Sequence, residues 1–195
     1  MEHPINKLQR IGLKLFLKPN HNLNPTSLIT VFHHWIQIKA VPELLIDVAD
    51  YTHLSNGPKV LLIGHEGNYA LDDRNGKLGL SYYKKQPSDE TLANRILSIG
   101  QTLFKASYLI ETDETLGGNF KFNWDELEFF SNDRLLAPSN QSTIDTLRPV
   151  LKQFLADLHE GQSYEMKCHP NLKDRLTIQI LAANNFFKYL AKNNL

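Results

Sequence analysis

The stretch LLIGHEGNYALDD, Leu61 to Asp73, sets His65 beside Glu66 between Gly64 and Gly67. An imidazole next to a carboxylate can move a proton or bind a metal ion. The pair resembles the start of the H-E-x-x-H zinc motif, in which two histidines one helical turn apart hold the metal and the glutamate activates water. Here the fifth position is Tyr69, and Gly64, Gly67 and Asn68 oppose a helix, so identity and local structure both fail the motif. The ligand-binding candidates at this bend are His65, Glu66, Asp47 and Tyr69. Asp47 joins them because aspartate is depleted in strands and a covered carboxylate needs a partner.

A metal site would need a further element. FHHWIQ places His33 and His34 on a helix whose Leu28, Phe32, Trp35 and Ile36 face the core, and neither histidine has a second donor one turn away. A zinc or iron site therefore requires this helix to approach the bend, with His33, His34, His65 and Glu66 as the donors. The expectation is that no cofactor is bound, with zinc or iron as the alternative.

Other motifs fall short. IGHEGNYAL imitates the glycine loop of the KH RNA-binding domain, yet Glu66, Asp72 and Asp73 would repel phosphate and a hairpin stands where a helix should follow. DDRNGKLG lacks the first and last carboxylates of an EF-hand loop. Cys168 and His169 are neighbours, which in a strand face opposite sides. Phosphate-binding, dinucleotide and nucleophile-elbow signatures are absent.

These residues must be held by elements whose outline the chain supplies. Residues 13–18 alternate as a strand, and Asn24-Pro25 starts a helix that runs to about Gln37. Apolar runs at 44–50 and 59–64 read as strands, and the two glycines as a bulge bending the second one. Asn75-Gly76 between apolar runs is a hairpin turn. Ser88 caps a second helix, and Trp124-Asp125 separates the strands of a second hairpin. A third helix starts at Asn140 and carries Pro149, which should kink it or move its start; a third hairpin turns at 170–174.

The pattern predicts an α+β fold: a single-domain sandwich of a mixed, largely antiparallel sheet with helices on one face, built from helix-plus-two-strand units. The domain spans 1–183, and 184–195 form an amphipathic helical tail that docks on it through Phe186, Phe187, Leu190 and Ala191.

Composition bounds the function. Of 195 residues, 21 are basic and 21 acidic, so no net field draws in DNA or an anionic membrane, and RNA is disfavoured. A basic face could still hide in this balance if Lys14, Lys18, Lys39, Lys59, Lys84 and Lys85 cluster. Weak net repulsion suits self-association or a protein partner. The single cysteine permits no internal disulfide, and the N-terminal segment lacks a secretory apolar run, so the expected location is a reducing cytoplasm.

At VFHHWIQ, ELLIDVADY, LLIGHEGNYALD and NDRLLAP the chain resembles a group of small uncharacterised bacterial proteins. The resemblance implies a bacterial, cytoplasmic, single-domain protein and carries over no activity, cofactor or catalytic residue. The expectation from sequence is a binding or accessory protein with a pocket near the 64–67 bend; the alternative is a metal-dependent enzyme centred there.

Overall fold

The computed structural model of the chain describes residues 4–158, 163–168, 171–184 and 187–188. The chain alternates helices and strands as β1 (Ile11–Leu17), α1 (Ser27–Ile38), β2 (Leu45–Asp50), β3 (Pro58–Gly64), β4 (Gly67–Asp72), β5 (Gly79–Lys84), α2 (Leu92–Thr112), β6 (Phe122–Ser131), α3 (Gln141–Leu158), β7 (Glu165–Cys168) and β8 (Leu176–Leu181). The strands form one sheet in the order β2-β3-β4-β5-β1-β6-β8-β7. Every pairing is antiparallel, so the fold is α+β with an open antiparallel sheet. The expected helix-plus-two-strand unit follows α3 only; four strands follow α1 and one follows α2.

Register divides the side chains between two faces. Leu13 stands opposite Tyr82 and Phe129, and Tyr82 stands opposite Tyr69. This row lies under the helices, where Trp35 of α1 meets the Tyr69 ring edge-on and Phe154 of α3 packs above Gly100 of α2 and Leu13. The alternate row, Asn68, Tyr83, Gly12, Phe130 and Thr177, belongs to the other face, called here the open face. All seven residues of β1 are nevertheless buried. Leu13, Leu15 and Leu17 are covered by helices; Lys14 and Phe16 are covered by something on the open face.

The local signals held where the chemistry was local. Asn140 accepts the N–H of Thr143 at 2.9 Å and caps α3. The helix expected from Asn24-Pro25 starts at Ser27 instead: Asn24 accepts the N–H of Thr26 in the turn before α1, and the N-cap residue Thr26 makes no side-chain cap. Asn75 and Gly76 take φ of 62° and 74°, as their turn requires. Thr91 rather than Ser88 caps α2, accepting from Asn94. α3 continues through Pro149.

Two further expectations are corrected. Trp124-Asp125 is not a turn: it lies inside β6, where the register to β1 shifts between Leu15 and Leu17. Phe122 and Trp124 alternate with half-buried Asn123 and Asp125, and from Glu126 to Ser131 every residue of the strand is buried. The glycines at 64 and 67 do not bulge one long strand either; His65 and Glu66 are the two loop residues between β3 and β4.

Glu111 near the end of α2 ties three segments together. It accepts from the backbone N–H of Phe122 at 3.0 Å, from the Trp124 indole at 2.8 Å, and from the Lys188 ammonium. Phe187 is buried and stacks on Phe104, so this part of the tail docks on α2. The rest of the predicted tail helix, including Phe186, Leu190 and Ala191, lies outside the described residues.

Two measurements follow. A Cβ on Gly12 would sit 2.4 Å from the Phe130 ring and 2.7 Å from Tyr83 Cβ. Gly12→Ala should therefore lower stability by about 1–3 kcal/mol in urea unfolding. Burial would raise the Glu111 carboxyl, but the Lys188, Phe122 and Trp124 hydrogen bonds outweigh it and hold the pKa below the ordinary value. Its ionised form thus stabilises the fold above about pH 4.5, and that stability is lost as pH falls through the lowered value. Glu111→Gln should show a shallower acid decline, read by tryptophan fluorescence.

Candidate functional site

The residues nominated at the bend do not share a site. His65 Nδ1 lies 2.9 Å from Glu66 Oε1, and both side chains are more than half exposed on the turn. Asp47 is exposed on β2 and stands in line with Ile63 and Asn68, whereas Tyr69 is buried beneath the helices on the opposite face. The Asp47 carboxylate accepts its neighbour's N–H, from Val48, at 2.8 Å. Asp50 accepts from the N–H and hydroxyl of Thr52, which lower its pKa. Both aspartates lie on β2, an edge strand of the sheet, where charge discourages pairing with another chain.

The glycines of the bend answer to packing. Glu43 reaches over the turn, and its Oε2 accepts the N–H of Gly67 at 3.2 Å. A Cβ on Gly64 would lie 2.5 Å from that oxygen, and one on Gly67 would lie 2.7 Å from the Tyr82 hydroxyl. Burial, then the charge of Glu43, pushes the phenols of Tyr69 and Tyr82 well above their ordinary range, so both stay protonated. This cluster is a structural plug under the turn.

His33 and His34 are exposed on α1. Among the described residues no three His, Cys, Asp or Glu side chains gather into a metal-binding group. Cys168 is half-buried on the helix side of β7, its thiol pushed up by burial; His169 lies outside the described residues.

The charged side chains that do converge lie on the open face. Lys14 is 1% exposed, and its ammonium contacts Asp72 Oδ1 at 3.3 Å, Lys77 O at 2.7 Å and Arg74 O at 3.4 Å. These bonds fold the Arg74–Lys77 turn back over β1. Lys77 stands over the Phe16 ring and pairs with Glu126 at 2.6 Å. From the turn before β8, Arg175 lies 3.9 Å above the Phe130 ring and pairs with Glu128 at 3.4 Å. Phe16 and Phe130 are thus roofed by cations, which explains burial on a face that bears no helix among the described residues.

Between the two arms lies a cavity of about 670 Å³. Six cationic side chains line it, Arg74, Lys77, Arg134, Lys167, Lys173 and Arg175, against two acidic ones, Glu128 and Asp174. Part of the positive charge is neutralised in place, by Glu126 on Lys77, Glu128 on Arg175 and Glu165 on Lys167. Among the described residues the Arg74 guanidinium and the Lys173 ammonium make no hydrogen bond or ion pair. Burial, then the like charge of Arg74, lowers the pKa of Arg175, while burial raises Glu128 against the pull of Arg175 and Lys14. An anion placed between Arg74 and Arg175 would relieve their repulsion.

The sequence reading missed this set. Of the lysines it nominated for a basic face, Lys14 is buried in its ion pair and Lys59 pairs with Asp73 at 2.8 Å. The available signal was that the turns RNGK and NLKDR each carry two cations.

Compared with known proteins, the chain matches no protein-family model and no curated protein.

Lys14→Met would leave Asp72 and Glu128 buried without the ammonium between them. We expect a loss of about 3–5 kcal/mol in urea unfolding. Combining it with Asp72→Asn should cost less than the sum of the two single changes.

Proposed function

We propose that this is a non-catalytic binding or accessory protein of a reducing cytoplasm, and that its ligand is an anion held in the cavity on the open face. The observation that carries this reading is the convergence of six cationic side chains on one concave space in a chain of zero net charge. Guanidinium and ammonium groups favour carboxylate and phosphate oxygens, and the planar fork of arginine suits bidentate contacts. Arg74 and Lys173 have donors to spare, and of the Arg175 donors only Nη2 is bonded among the described residues, to Glu128. The site stands on turns held by the sheet, a rigid framework that presents donors at low ordering cost.

Titration calorimetry with inorganic pyrophosphate tests the reading. Binding should occur and weaken with salt, because the contacts are ionic. Arg74→Ala should reduce affinity about tenfold, equivalent to one charge-assisted hydrogen bond of about 1.5 kcal/mol. Absence of binding, or affinity indifferent to Arg74→Ala and Lys173→Ala together, would sink the proposal.

A further inference from the structure

Two apolar turns stand beside the basic cavity. Leu135 is 95% exposed and Leu172 65% exposed. A single exposed leucine is ordinary on a protein surface. These two share a construction. In residues 133–136 the Asp133 carboxylate accepts the N–H groups of Leu135 and Leu136, at 3.2 and 3.1 Å, and holds the turn in shape. In residues 171–174 the Asn171 side chain accepts the N–H of Lys173 at 3.1 Å and donates to Asp174 at 2.6 Å.

The turns are also fastened to one another. Arg134 donates to the Leu172 carbonyl at 2.8 Å, Asn171 N–H donates to the Ser139 hydroxyl, and Pro138 bridges to Arg175. Each leucine is therefore next in sequence to a cation that lines the cavity, Arg134 before Leu135 and Lys173 after Leu172. The result is a pair of preset apolar tips at the rim of a positively charged pocket.

We infer that this end of the sheet docks on an anionic bilayer, with a lipid phosphate in the cavity and Leu135 and Leu172 entering the headgroup layer. The inference rests on the anion-binding reading of the cavity and names the source of the anion. Charge complementarity supplies the attraction, each cation near the surface adding to it. The shape favours a bilayer over a peptide: leucines on protruding turns insert into a fluid layer, whereas a bound helix needs apolar residues along the walls of a groove. No helix among the described residues is long and apolar enough to cross a membrane, so the contact is peripheral.

The test is vesicle flotation of the full chain with phosphatidylcholine alone and with added phosphatidylglycerol. We expect capture by the mixed vesicles only, release in high salt, and about tenfold weaker capture for Leu135→Ser with Leu172→Ser. The same double variant should bind pyrophosphate as tightly as the parent. Pyrophosphate binding with no vesicle capture would overturn the bilayer assignment and leave the anion site standing. Capture by soluble poly-glutamate in place of vesicles would overturn it in favour of an acidic polypeptide. Loss of both vesicle and pyrophosphate binding in the parent would remove the anion site and the docking surface together.

Discussion

One buried ammonium governs the open face. Lys14 lies in the middle of a strand whose alternate residues are committed to the helical core, so its side chain must cross the sheet to the other side. Removing an ammonium from water lowers its pKa, and the neighbouring carboxylates Asp72 and Glu128 oppose that shift. A buried charge persists only with partners, and here the partners include two backbone carbonyls of a turn that could otherwise have extended into solvent. The fold-back of that turn, the burial of Phe16 and one wall of the cavity all depend on this contact.

The opposite wall has the same logic. Arg175 covers Phe130 and pairs with Glu128, so an aromatic face and a buried carboxylate together position a guanidinium. Glu128 is thus flanked by Lys14 on one side and Arg175 on the other, and both arms are set by one strand, β6. The acidic residues of this face hold the scaffold and leave the outermost cations, Arg74 and Lys173, to meet a ligand. At the far edge of the sheet the arrangement is reversed: β2 exposes Asp47 and Asp50, which blunt an open edge.

Much of the secondary structure could be read from the chain because its causes are local. Asn75-Gly76 demands positive φ, Asn140 offers an oxygen to Thr143, and leucines at helical spacing must share a face. Trp124-Asp125 misled because a polar break in an apolar run has the same composition whether it is a turn or an irregularity in the ladder. The pair His65-Glu66 drew notice by chemical type, yet its glycines were chosen by Glu43 and Tyr82, residues distant in sequence that leave no room for a Cβ.

By itself the sequence determined the α+β class, the placement of helices on one face, and the hairpins at Asn75-Gly76 and before β8, since these follow from periodicity and turn chemistry within short windows. Only the tertiary structure decided where charge accumulates. Arg74, Arg134, Lys167, Lys173 and Arg175 come from four separate segments, and nothing in their spacing says they meet. They meet because the strand order places β6 between β1 and β8, and because a lysine buried at the centre of β1 pulls the 74–77 turn across the sheet toward them.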